Sequence, residues 1–389
     1  MTKKWSSRLT FFAFVVLMVG LGSNDSLRGI FSTIFQEHFA LTATQMGLIV
    51  TASYIGNLVF LLVGGNLSTR FSKKRVLQVL ILIWMVALAL FAFTSNYTLL
   101  LIGMALALGS STLLNTTMNL ITSLLFATAP GFFVNFLFFT QEIGTSGSQY
   151  ILGSHADGFA FWQHTNLVLL ILGAVAFVLL LFCNVPEEAA APADAPAQKG
   201  GYDWRIVVLY VLVFGFYFIA EHGVMNWMVA YGVDGLGLPQ ASAAKYLSVF
   251  FGGMMIGRLC LSPLVDKLGA LKSLMAFGGV SCVLYLIGSL GGAVTMPVWA
   301  ISGLSFSILY PTLVMSIRLY FPAQQVSGAA GTILSIASLA DILFNVGFGK
   351  LVDMAGYAVS IRILPLSVLA FFIVFMLFTK FCKPTQKLK

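Results

Sequence analysis

Apolar residues run along this chain in long stretches separated by short polar ones. Twelve such runs are legible, at roughly 9–35, 46–67, 76–94, 98–127, 131–153, 166–184, 205–231, 243–265, 271–291, 295–321, 326–350 and 358–381. Each reaches about 20 residues, the length a helix needs to cross a hydrocarbon core about 30 Å thick. Each run therefore predicts a membrane-spanning helix. A transmembrane β-barrel would show short alternating segments instead, and the sequence has none. Between the sixth and seventh runs lies "VPEEAAAPADAPAQKGGYDW", rich in Ala, Pro and charge and without apolar periodicity. It reads as a solvated linker. The expected fold is an all-α membrane protein with twelve transmembrane helices in two six-helix halves: residues 1–184, a cytoplasmic linker at 185–204, and residues 205–389.

Composition agrees with this pattern. The 389 residues are 59% hydrophobic and only 9% charged, with a mean hydropathy of +0.96. Soluble domains carry about 25% charged residues. The first apolar run is too long, and too polar in its second half, for a cleavable signal peptide. The four cysteines, Cys183, Cys260, Cys282 and Cys382, lie in or beside apolar runs without metal-ligand spacing and read as small buried hydrophobes.

The net charge of +8 would suggest nucleic acid in a soluble protein. Here the basic residues sit at span ends, and no nucleic-acid-reading motif is present. Lys3, Lys4 and Arg8 precede span 1, and Arg70, Lys73, Lys74 and Arg75 follow span 2. Lys267 and Lys272 follow span 8, and Lys380, Lys383, Lys387 and Lys389 close the chain. All fall on one side of a twelve-span arrangement, which the positive-inside rule makes the cytoplasmic side. Both termini and the linker should then be cytoplasmic.

The halves echo each other. "GGNLSTRFSKKR" after span 2 and "GRLCLSPLVDKLGALK" after span 8 are both a span end followed by a short basic turn. Two six-span halves related in this way are the pattern of major facilitator transporters. The loop motif there commonly joins a Gly, an Asp and a basic run. The second half keeps Asp266 and Gly269, whereas the first has Thr69 and Ser72 at the corresponding places. Arg70 and Asp266 are the gating or structural positions of these loops.

Ionisable groups inside a membrane cost about 2.5–3.5 kcal/mol each on the insertion scale and mark function by default. Those within spans are Asp25, Arg28, Glu142, Glu221, His222, Arg258, Arg318 and Asp341. Asp25 and Arg28, at i and i+3, share one helix face. They form either a structural ion pair or a cavity-facing carboxylate with a local modulator. Burial favours a neutral carboxyl and a nearby guanidinium an ionised one, so movement of Arg28 would switch proton affinity. Asn115 and Asn119, at i and i+4 beside Thr116 and Thr117, form either an interhelical hydrogen-bond patch or a row of amides facing a polyhydroxy solute. "NFLFFTQEIGTSG" places Asn135, Gln141 and Glu142 among apolar residues, and Glu142 has no basic partner within one turn.

In "YFIAEHGVMNWMVAYG", Glu221 and Trp227 straddle Gly223, and His222 lies one turn before Asn226. A carboxylate beside an aromatic ring can hold a sugar. The alternative is a broken span whose acid faces water. Asp341 and Asn345 share a face, with Arg258 a possible partner for Asp341 across helices. His155, Asp157 and His164 fall in the expected outer loop after span 5.

Several stretches together resemble the fucose permease-like branch of the major facilitator superfamily, the sugar:proton symporters. "SNDSLRGIFSTIFQEHFALTATQMGLIVTASYIG" is similar to that branch's spans 1 and 2, and "YFIAEHGVMNWMVAYG" to its span 7. "SVFFGGMMIGRL" and "GLSFSILYPTL" resemble its spans 8 and 10. The resemblance places Asp25, Glu221, Trp227 and Arg258 at motif positions. It also implies a span 4 glutamate where this chain has Asn115, and a proline where it has Leu120. One hypothesis is that the carboxylate has moved from span 4 to Glu142 in span 5.

The expected function is proton-coupled uptake of a small hydroxylated solute, by resemblance a monosaccharide, through alternating access. A central cavity lined by spans 1, 4, 5, 7, 8, 10 and 11 is expected. Substrate contacts would come from Asn24, Asp25, Asn115, Asn119, Gln141, Glu221, Asn226, Trp227 and Asn345. The proton would ride on Asp25, Glu142 or Glu221, modulated by Arg28, with Arg258 and Asp341 structural. Expected partners are the substrate, protons and lipid, without a cofactor, metal or nucleic acid, for a monomer in a bacterial inner membrane. A proton-driven exporter and an uncoupled facilitator or exchanger remain open. No nucleophile–base pair or metal cluster points to an enzyme.

Overall fold

The computed structural model describes the backbone of residues 3–126, 130–183, 185, 202–322 and 325–384. Within these, the side chains of 3–6, 63–70, 123, 130–132, 135, 266 and 327 are not described. The Arg70, Asp266 and Asn135 side chains and most of the predicted linker therefore lie outside the described residues.

The described chain is helical throughout, without a strand among the described residues. In chain order the helices are α1 (Lys3–Ile30), α2 (Ser32–His38), α3 (Ala43–Arg70), α4 (Lys73–Phe93), α5 (Tyr97–Leu125), α6 (Pro130–Ile151), α7 (Phe159–Leu181) and α8 (Trp204–Ala230). They continue with α9 (Gln240–Leu268), α10 (Ala270–Leu290), α11 (Met296–Ile301), α12 (Gly303–Phe306), α13 (Leu309–Ser316), α14 (Val326–Ala355), α15 (Tyr357–Ser360) and α16 (Ile363–Phe381). Among the described residues, eleven helical segments are long and apolar enough to cross a membrane. The 22-residue α6 stands at the place of the predicted fifth span. Large apolar side chains such as Leu62, Phe93, Val168 and Leu343 are exposed on these helices, the surface a protein offers to lipid rather than to water.

Local sequence sets the helix ends. Ser72, Asn96 and Asp203 accept backbone N–H bonds at the starts of α4, α5 and α8. Thr42 and Gln45 form a reciprocal capping box before α3: the Thr42 N–H donates to Gln45 Oε1 at 3.0 Å, and the Gln45 N–H donates to Thr42 Oγ1 at 3.2 Å. Lys74 Nζ donates to the Leu181 and Cys183 carbonyls at 3.0 and 2.7 Å, closing the C-terminal end of α7.

Three elements differ from the hydrophobic pattern. Helix α7 begins at Phe159, so His164 is helical, though exposed, rather than in a loop. Gln163, His164, Thr165 and Asn166 had interrupted the apolar run there. The tenth span is broken into α11, α12 and α13. The Ser302, Ser305 and Ser307 hydroxyls donate to carbonyls three residues back, and Pro311 has no N–H to continue the ladder. Helix α8 instead passes unbroken through Gly223, where a Cβ would strike the Leu364 side chain. The cysteines also divide: Cys183 and Cys282 are buried, Cys382 is half-buried and Cys260 is exposed.

Two compact units emerge from the packing. The first holds residues 1–41 and 48–198, and the second holds 42–47 and 199–389. In the first, α1 packs on α6 and α7, and α4 on α5 and α7. In the second, α8 packs on α14 and α16, and α9 on α11 and α12.

Candidate functional site

The first unit builds a polar cluster where α1, α5 and α6 meet. Glycines make the approach possible. A Cβ on Gly22 would run into the Gln141 carbonyl, and one on Gly144 into the Val19 carbonyl. Membrane helices without large side chains at the crossing can touch backbone to backbone. Thr145 Oγ1 donates to the Gly22 carbonyl at 3.2 Å across this contact.

One turn beyond Gly22 stands Asp25, which is half-buried. Ser111 on α5 donates its hydroxyl to Asp25 Oδ2 at 3.1 Å. Asp25 Oδ1 is buried and meets no donor among the described residues. Arg28, only 5% exposed, lies within electrostatic reach of the Asp25 carboxylate. Its guanidinium carbon stands 5.7 Å from the centre of the Tyr54 ring on α3, a cation–π geometry. A buried cation is thus held by an aromatic face and a carboxylate together. Asn24 beside them is buried.

The α5 stripe continues from Ser111 at helical spacing to Asn115 and Asn119, all on one face. Asn115 Nδ2 donates to Gln141 Oε1 on α6 at 2.7 Å, and Asn119 Nδ2 donates to Asn115 Oδ1 at 2.8 Å. The three amides form a chain, each half-buried. Glu142 follows Gln141 on α6 and is also half-buried. Such a row offers both donors and acceptors to a hydroxylated solute.

The second unit carries its own cluster on α8 and α14. Asp341, 1% exposed, is paired with His222 at 2.7 Å between Oδ2 and Nδ1. The partner recorded for Asp341 is thus His222, a pairing the sequence did not suggest. Arg258 lies instead within electrostatic range of the Tyr217 and Tyr310 phenols, as does Glu221. Asn345 Nδ2 donates to the Asp341 carbonyl at 2.8 Å, and Trp227 Nε1 donates to Asn345 Oδ1 at 2.9 Å. Phe348 packs on Trp227, ring centres 4.8 Å apart. Asp341, Asn345 and Phe348, at i, i+4 and i+7, are the stripe by which α14 meets α8.

These contacts separate the expected substrate residues. Glu221 is half-buried, whereas Asn226, Trp227 and Asn345 are buried in this structure. Trp227 is thus packed between α8 and α14 rather than presented as an open stacking face.

Three contributors stand outside the predicted set. Ser111 was legible as the residue four before Asn115. Tyr54 and the His222–Asp341 pairing carry no sequence signal, because each meets its partner only through tertiary packing.

The sequence matches the family described as Major Facilitator Superfamily over residues 10–343. The chain belongs to this superfamily and is an integral membrane transporter, not an enzyme. It is 25% identical over 331 residues to the L-fucose-proton symporter of Escherichia coli strain K12, covering 74% of this chain and 75% of that one. It is 26% identical over 343 residues to a glucose/galactose transporter of Brucella abortus, covering 82% and 81%. Its fold matches a solved D-xylose-proton symporter with a TM-score of 0.76 at 15% identity, over 99% of each chain.

Proposed function

We propose that the chain imports a monosaccharide or similar small hydroxylated solute together with a proton, by alternating access. The observation that carries this reading is the cluster of the first unit: a half-buried Asp25 bonded by Ser111, next to a chain of three amides. The carboxylate supplies a place for a proton, and the amides supply the alternating donors and acceptors that hydroxyls need. Sugar transporters among the relatives support the substrate class. Asp25 is the principal proton carrier in this reading, with Arg28 as its competing charge. Glu142 and Glu221 are the other candidate proton carriers in this reading.

The same reading places the protein as a monomer in a bacterial inner membrane, both termini cytoplasmic. The one-sided distribution of Lys and Arg supports the cytoplasmic placing of the termini.

Proteoliposomes with an alkaline interior test the proposal against a panel of labelled monosaccharides. Accumulation of at least one sugar above its outside concentration, collapsed by a protonophore, is expected. Equilibration without accumulation would indicate an uncoupled facilitator. Accumulation only under the reversed gradient would indicate an exporter.

A further inference from the structure

Outside the Asp25 cluster, one pair of ionisable groups is built into the second unit with unusual care. Asp341 is 1% exposed, and its Oδ1 is buried and meets no donor among the described residues. Its compensation comes through Oδ2, from His222 at 2.7 Å. The His222 side chain is 24% exposed, and its ring stacks on Phe218 at 5.3 Å. One member of the pair thus reaches the surface, while the other is sealed between helices.

We infer that the His222–Asp341 pair is a second proton-loading site, and that its occupancy controls the packing of α8 against α14. In the loaded state both ring nitrogens of His222 carry hydrogen, and Nδ1–H donates to the Asp341 carboxylate. Loading brings one proton from water to the ring nitrogen that does not face Asp341, and the pair becomes neutral overall. Unloading returns that proton and leaves one buried negative charge without a counter-charge. Removing one partner's charge from a buried ion pair is strongly unfavourable. The unloaded pair therefore drives α8 and α14 to rearrange until the carboxylate reaches water or another donor. Asn345, bonded to the Asp341 carbonyl and to the Trp227 indole, carries that rearrangement to Trp227.

Other ionisable groups surround this end of α8. Glu221 and Tyr217 lie on α8 itself, Arg258 on α9 and Tyr310 on α13. Further along are Asp234 in the turn after α8, Lys350 and Asp353 on α14, and Arg362 before α16, whereas Lys380 lies at the opposite end of α16. The side-chain contact recorded at the Asp341 carboxylate is that of His222, and the proposed switch belongs to this pair.

The inference rests on the transporter reading only in that α8 and α14 must move. It needs neither a sugar nor Asp25, so its test uses the full chain in detergent without substrate. Intrinsic tryptophan emission is followed from acid to alkaline pH, and the Trp227→Phe chain assigns the Trp227 contribution. A single sigmoidal transition assigned to Trp227 is expected in the wild type. It should be lost in His222→Gln and in Asp341→Asn, each checked for monodispersity by gel filtration. It should be retained in Glu221→Gln and Asp25→Asn. A transition that persists in His222→Gln or in Asp341→Asn would overturn the inference, as would one removed by Glu221→Gln. A wild-type emission that does not change with pH would overturn it too. If the transition follows the pair while no sugar is transported, the switch stands and the sugar-symport reading falls.

Discussion

Ser111 on α5 donates its hydroxyl to Asp25 on α1 at 3.1 Å, tying the membrane-embedded carboxylate to the helix that also carries Asn115 and Asn119. In the proposed reading, a proton arriving at Asp25 and a solute arriving at the amides would both be read by one face of α5. Ser111→Ala should weaken coupling without abolishing binding. The ratio of accumulated to equilibrated sugar should fall while counterflow exchange continues. A hydrogen bond to a charged group is worth about 1.5–3 kcal/mol, so an effect of about tenfold or more, short of a complete loss, is expected.

The amide chain makes a separable prediction. Asn115→Ala removes the link between Asn119 and Gln141. If Asn115 gives the sugar one hydrogen bond worth about 1 kcal/mol, its loss should lower apparent sugar affinity about fivefold, with the proton gradient still effective. Uptake kinetics at fixed pH measure this as a change in KM. Loss of the proton dependence instead would assign coupling to this residue.

Gly22 and Gly144 allow α1 and α6 to touch. Gly144→Val would drive a side chain into the Val19 carbonyl. Overpacking commonly costs about 1–3 kcal/mol, and here the obstruction is backbone, which yields less than a side chain. A clear fall in the thermal midpoint in detergent is expected. Gly147→Ala, where a Cβ meets nothing within 4 Å, is the matched control and should leave the midpoint unchanged.

At the start of α3, Asp353 accepts from the Ala43 and Thr44 N–H groups at 2.7 and 2.8 Å and from the Thr44 hydroxyl at 2.5 Å. Removing a helix cap of this kind costs about 0.5–2 kcal/mol. Asp353→Ala should lower the thermal midpoint, whereas Asp353→Asn, which keeps an acceptor, should lower it less.

Much of the fold could be read from the sequence because lipid imposes it. A spanning helix must be long and apolar, and those two properties are visible in the runs from Leu9 to Phe381. The same physics hides the rest. Lipid-facing and buried surfaces are both apolar, so nothing in the sequence distinguished exposed Cys260 from buried Cys282. Serine hydroxyls that bond to their own helix broke the tenth span without lowering its hydrophobicity enough to show. The polar residues announced themselves as costly, and within one unit Asp25 lies near Arg28 and Ser111 while Asn115 bonds to Gln141. Their partners depend on which helices touch, and a one-dimensional pattern does not carry that information. Asp341 therefore meets His222, and Trp227 is packed against Asn345 and Phe348.

The hypothesis that Glu142 took over the role of the span 4 carboxylate competes with Asp25. Glu142→Gln and Asp25→Asn separate the two, since each leaves the other acid in place. If Asp25 carries the proton, Glu142→Gln should retain accumulation. If Glu142 does, that variant should lose accumulation and keep counterflow.

The most direct test is the alkalinisation of a weakly buffered medium when a transported sugar is added to cells expressing the protein. The wild type should raise the external pH as sugar and protons enter together. Asp25→Asn should give no pH change while still exchanging labelled sugar in counterflow. An undiminished pH rise in Asp25→Asn, or sugar entry into wild-type cells without any pH change, would contradict the assignment of Asp25 as the proton carrier of a symporter.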